Sequence, residues 1–186
     1  MTLTKSLLRL AFATACLLLI PLVAMQFSAE VVWTVSDFVI AGGLLFGAGL
    51  AYLLVARLGS NASYRLAVGV AVMAGLLLIW GNLAVGFIGS EDNPANLLYG
   101  GVLAVALIGA IVARFRPQGM AYAMFAAALV QVMVPLVAAL IWRPEVNLGM
   151  LQVLALNTAF AMLWVVSGWL FRHANGAGST LSHQLA

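Results

Sequence analysis

The sequence predicts an all-α, polytopic integral membrane bundle of six transmembrane helices. Three observations carry that prediction. Of 186 residues, 65% are hydrophobic and only 7% are charged, whereas a soluble domain is about 45–50% apolar and roughly 25% charged. A soluble fold of this length has too little interior to hide so much apolar surface, which excludes water-soluble enzymes, nucleic-acid binders and disordered chains. Six stretches reach the ~20 apolar residues that a helix needs to cross the hydrocarbon core. These runs are continuous rather than alternating over about ten residues, which excludes a transmembrane barrel.

Span one runs from Leu7 to Phe27, with Lys5 before it and Arg9 in its first turn. A secretory signal peptide also places basic residues before an apolar run, but that run is only about 7–15 residues long. Here the run is longer, and Leu22-Val23-Ala24 lacks a small residue three places before the cut. A retained helix is therefore expected. Span two runs Phe38 to Ala56, span three Leu66 to Ile88 and span four Pro94 to Ala113. Spans five and six run Gly119 to Trp142 and Leu148 to Phe171. The connections between them are short, join antiparallel neighbours and leave no room for a soluble domain. Residues 1–173 read as a single six-helix transmembrane domain. Residues 174–186, with Gly176, Gly178, Ser179 and Ser182, read as a flexible cytoplasmic tail.

Orientation follows from the basic residues. One set of span ends carries Lys5, Arg9, Arg57, Arg65, Arg114, Arg116 and Arg172; the other carries only Arg143. All five acids, Glu30, Asp37, Glu91, Asp92 and Glu145, fall on the second side. Both termini are thus expected in the cytoplasm. Aromatic residues at the span ends form the expected belts, with Trp33, Tyr99 and Trp142 outside and Tyr52, Tyr64, Tyr122 and Trp169 inside.

Several chemistries lack the residues they need. Both histidines, His173 and His183, lie at or beyond the end of the last span, so no histidine pair is placed to ligate haem between helices. Cys16 is the only cysteine, which removes multi-thiolate metal sites. No spanning histidine or lysine is present to act as base for a nucleophile. The sequence therefore predicts no enzyme, no metal and no cofactor.

Two groups of polar residues remain as candidates. The first is an outer-face cluster of Glu91, Asp92, Asn93 and Asn96, between spans three and four. It has a functional reading, as a site for a cation or cationic substrate at the mouth of a pathway. Its structural reading is helix punctuation: Gly89 ends one helix, Asn93 caps the next, Pro94 takes the first position, and acids sit near a positive helix end. Asp37 and Glu145 fit the same capping scheme, and Arg143 is the external base that would pair with one of these acids. The second group is Gln131 and Asn157. They lie eleven and nine residues from the outer ends of spans five and six. At about 1.5 Å per residue, both are roughly 14–17 Å deep, near the midplane. In a tight hairpin these amides meet at one level, either as an interhelical hydrogen bond or as solute contacts beside a carbonyl freed by Pro135. Asn82, Gln152, Thr158 and Ser167 complete the deep polar set. Small-residue faces, Gly43/Gly47/Ala51 in span two and Ala67/Ala71/Gly75 in span three, are expected to pack within the bundle.

The segment Trp80-Gly81-Asn82-Leu83-Ala84-Val85-Gly86-Phe87-Ile88-Gly89-Ser90-Glu91-Asp92-Asn93-Pro94-Ala95-Asn96-Leu97-Leu98-Tyr99 resembles a group of uncharacterised bacterial inner-membrane proteins. So do Ala24-Met25-Gln26-Phe27, Ser36-Asp37-Phe38 and the run Ala113-Arg114-Phe115-Arg116-Pro117-Gln118-Gly119-Met120-Ala121. The resemblance covers about the first 140 residues. It implies a multi-pass protein of the bacterial inner membrane and no particular chemistry. Two functions stand open on the residues: a small-solute transporter or channel-like protein, towards which the midplane amides lean, and a non-catalytic accessory or scaffold subunit. The partners expected are the lipid bilayer and either further copies of the chain or a larger membrane complex, with no nucleic acid.

Overall fold

The computed structural model describes residues 3–59, 61–142 and 148–184. It is all-helical, with no strand among the described residues. The elements are α1 (Leu3–Phe27), α2 (Val35–Ala56), α3 (Ala62–Ala84), a 3-10 turn (Pro94–Leu98), α4 (Tyr99–Val112), α5 (Pro117–Trp142) and α6 (Leu148–Gln184). Six helices are long and apolar enough to cross a membrane, the 3-10 turn and α4 counting together as one. By its contacts the chain groups into two compact units, Met1–Leu54 and Val55–Ala186.

The first unit is an α1–α2 hairpin. Its turn is organised by Thr34 and Asp37, which cap α2 reciprocally. Asp37 Oδ2 accepts from the Thr34 N–H and hydroxyl, each at 2.7 Å, and the Asp37 N–H donates to Thr34 Oγ1 at 3.4 Å. This is a capping box, so the capping role expected of Asp37 is realised. The hairpin closes on Gly42 and Gly49. A Cβ on Gly42 would stand 3.3 Å from Leu18, and one on Gly49 would overlap Leu10. The expected face of Gly43 and Gly47 is open, with nothing within 4 Å of a Cβ at either. Spacing alone shows where small residues repeat, not which repeat meets a neighbour.

The second unit packs α5 on α6, α3 on α6 and α4 on α5. Asn61 caps α3, its side chain accepting from Tyr64 N at 2.9 Å, and its Nδ2 donates to Ala174 O of α6 at 2.9 Å. Ser167 of α6 donates to the Ala67 carbonyl of α3 at 2.8 Å. Ala67 is fully buried, and Gly75 sits where a Cβ would meet Leu103 and Trp164 at 3.6 and 3.9 Å. The small-residue face of α3 is thus an interface within this unit. Gly109 and Ala123 set the α4–α5 approach, since a Cβ on Gly109 would lie 2.7 Å from the Ala123 methyl.

Tyr64 was expected in an aromatic belt and is instead buried, donating to Phe115 O at 2.8 Å and packing edge-on against Phe171. Its bond holds the α4–α5 turn, where Arg114 (φ 50°) and Phe115 (φ 57°) are both left-handed. Such non-glycine residues cost about 1 kcal/mol or more each.

Two boundaries differ from the sequence reading. Span three was expected to reach Ile88, but α3 ends at Ala84. Gly86, at φ +67°, closes the helix, with its N–H returning to Gly81 O at 3.1 Å. The helix therefore ends at Gly86 rather than at Gly89. At the other extreme, span six was expected to end at Phe171, and α6 runs on to Gln184. Extending an existing helix costs much less than starting one.

Candidate functional site

The site is built on the Tyr99 end of the second unit, from the 85–98 loop and the facing parts of α4, α5 and α6. Asn96 organises the loop. Its Oδ1 accepts from Phe87 N at 3.0 Å and Ile88 N at 2.9 Å, while its Nδ2 donates to Ser90 O at 2.6 Å and Ile88 O at 3.3 Å. Asn93 caps the 3-10 turn, accepting from Ala95 N at 2.9 Å, with Pro94 at the first position as expected. Glu91 and Asp92 are exposed, whereas Asn96 is buried. Within the expected outer cluster, the two asparagines bond to the loop backbone and the two acids are exposed. The expected contributions of Arg143 and Glu145 lie outside the described residues.

With α3 stopped at Ala84, Phe87 is free to turn inward. It is buried, 5.3 Å edge-on from the Tyr99 ring and 5.1 Å from the Phe160 ring. Behind it lie three polar side chains from three helices. Gln131 Nε2 of α5 donates to Asn157 Oδ1 of α6 at 2.9 Å. Asn157 Nδ2 donates to the Tyr99 hydroxyl of α4 at 2.8 Å and to Val153 O at 2.8 Å. Tyr99 OH also lies 3.0 Å from Asn157 Oδ1. All three residues are buried, Gln131 completely. The two amides were expected to meet at one level, and they do so by direct contact. Tyr99, expected in the outer aromatic belt, is the third member of the cluster. Nothing in its sequence position indicates this; the packing of α4 and α6 on α5 puts it there.

The cluster leaves Gln131 Oε1 buried with no hydrogen-bond partner among the described residues. An unpaired buried acceptor costs about 1–3 kcal/mol. Pro135 follows four residues on and has no N–H to offer the Gln131 backbone carbonyl.

A cavity of about 510 Å³ opens beside this cluster. The loop contributes Val85 to Gly89 and Asn93; α5 contributes Pro135, Ala138 and Ala139; and α6 contributes Gly149 to Leu156 in part. Among the described residues no charged side chain lines it, and the polar side chains that do are Asn93 and Gln152. Phe87 belongs both to the cavity wall and to the ring contact with Tyr99, so it separates the cavity from the cluster. Pro135 and Val153, each one turn from Gln131 and Asn157, form the adjoining wall.

The other deep polar residues play smaller parts. Asn82 and Thr158 donate to carbonyls four residues back on their own helices, at 2.8 Å each, and Ser167 ties α6 to α3. No family model, no curated protein and no solved structure matches the chain.

Proposed function

We propose that the chain carries a small, uncharged solute across the membrane, taken up in the cavity beside Phe87. One observation supports this above the rest. A cavity of about 510 Å³, with no charged lining residue among those described, adjoins a buried cluster in which Gln131 Oε1 has no donor among the described residues. The apolar lining favours an uncharged solute, because a charge moved there would lose its hydration without a partner. The spare acceptor favours a solute with an N–H or O–H group. Phe87 stands between the two compartments and would have to move for a solute to reach the amides.

The same reading places the protein in the bacterial inner membrane with both termini in the cytoplasm. Its support is the resemblance of the 80–99 segment and the concentration of Lys and Arg at alternate span ends.

The test is solute-driven swelling of proteoliposomes, using small uncharged solutes with and without hydrogen-bond donors. Donor-bearing solutes should enter faster than into protein-free vesicles, and Ala139→Trp, which fills the cavity, should abolish the difference. Entry no faster than into protein-free vesicles, or entry unaffected by Ala139→Trp, would sink the reading.

A further inference from the structure

A second recess lies far from this cavity along the helices, where α5 begins and α6 passes it. Its volume is about 130 Å³, and it is lined by Gln118, Ala121, Tyr122, Arg172 and Asn175. That is room for about four waters. We infer that this recess binds one phosphate oxyanion, and that the bound group is the headgroup of an anionic phospholipid.

The argument rests on what surrounds the space. Four of its five lining residues carry polar side chains, and they come from two helices at matching depth. Arg172 supplies a fixed positive charge with a planar fork of donors that suits a phosphate. Gln118 and Asn175 add amide donors, and Tyr122 adds a hydroxyl. Among the described residues no carboxylate lines the recess to compete for the arginine. Ala121, almost wholly buried, forms the floor and leaves space where a larger side chain would fill it.

The depth of the recess selects the source. Gln118 and Tyr122 belong to the first two turns of a helix long enough to span a membrane, which is headgroup level. Tyr122 is 63% exposed, with its ring available to the upper acyl chain of a lipid whose phosphate sits beside Arg172. Basic recesses between spanning helices bind lipid headgroups on these terms. The recess shares no lining residue with the Phe87 cavity, so the inference stands apart from the transport reading.

The experiment is native mass spectrometry of the full chain released from micelles containing phosphatidylglycerol and phosphatidylcholine with the same acyl chains. The wild-type protein should retain one phosphatidylglycerol in preference to phosphatidylcholine. Arg172→Gln should lower that retention by about tenfold, as loss of a charge-assisted contact would; Tyr122→Phe should lower it less. Arg114→Gln removes a charge from the neighbouring turn without touching the recess and should leave retention unchanged. Both recess positions are exposed, and an unchanged melting temperature checks that the fold is intact. Added inorganic phosphate separates the sources. If it leaves the lipid in place, the lipid assignment holds. If it displaces the lipid and itself binds in an Arg172-dependent way, the oxyanion site stands and the lipid assignment is overturned. Equal retention by wild type and Arg172→Gln, or an equal loss in Arg114→Gln, overturns the site.

Discussion

Gln131 Nε2 lies 2.9 Å from Asn157 Oδ1, and the bond that joins α5 to α6 leaves Gln131 Oε1 with no partner among the described residues. The two residues are therefore unequal members of one pair. Asn157 also bonds Tyr99 and the Val153 carbonyl, whereas the Gln131 side chain makes one hydrogen bond among the described residues.

The inequality makes a stability prediction. Asn157→Leu strands both Gln131 and Tyr99 and should cost about 1–2 kcal/mol, near the upper range for polar contacts between membrane helices. Gln131→Leu removes one bond together with the unpaired oxygen and should stay within about 0.5 kcal/mol of wild type. Reversible unfolding in mixed micelles measures both. Equal costs would mean that the pair is symmetric and that Oε1 is satisfied.

Under the transport reading the same residues should behave differently. Phe87→Ala removes the ring between the cavity and Tyr99 and should raise entry of donor-bearing solutes. Gln131→Leu, nearly silent in stability, should lower it. Swelling rates of proteoliposomes decide this. A Gln131→Leu rate equal to wild type would confine Gln131 to helix packing.

Gly86 should resist substitution. Its φ of +67° strains any L side chain, and a Cβ would overlap the Ser90 carbonyl. Gly86→Ala should cost about 2 kcal/mol or more. Gly101→Ala, with nothing within 4 Å of the new methyl, should be neutral within about 0.5 kcal/mol. Comparable losses at both positions would contradict the way α3 is closed.

The turn between α4 and α5 offers a test of opposite sign. Arg114 is exposed and left-handed at φ 50°, so Arg114→Gly should relieve strain and stabilise by about 0.5–1 kcal/mol. Tyr64→Phe, which releases the Phe115 carbonyl, should destabilise by about 1 kcal/mol. Thermal unfolding of the two variants gives both signs. A destabilised Arg114→Gly would show that the turn is not strained there.

Orientation can be read directly. Cys16 is the only cysteine, so Cys16→Ser leaves a background for Ser90→Cys and for Leu58→Cys, both at exposed positions. With both termini in the cytoplasm, an impermeant maleimide added outside right-side-out membranes should label the Ser90→Cys variant and spare the Leu58→Cys variant. The reverse pattern would invert the topology.

Much of this protein was legible in local chemistry. The six spans follow from the length of apolar runs against the thickness of a bilayer. The Asn93 cap and the capping role of Asp37 follow from what short polar side chains do beside free N–H groups. The common depth of Gln131 and Asn157 follows from helix rise and a short hairpin. Each of these depends only on neighbours in sequence, so the sequence by itself determined them. Tertiary structure alone decided that Phe87 turns back over Tyr99, that Tyr99 and Tyr64 are core residues rather than belt residues, and that α1 meets α2 at Gly42 and Gly49 and not at Gly43 and Gly47. The reason is the solvent. Helices that are apolar all round carry no amphipathic stripe to mark the inward face. Lipid tails are as apolar as a leucine, so hydropathy does not sort the inward face from the outward one. The choice falls to the shape of the packed helices and to the few hydrogen bonds that shape permits.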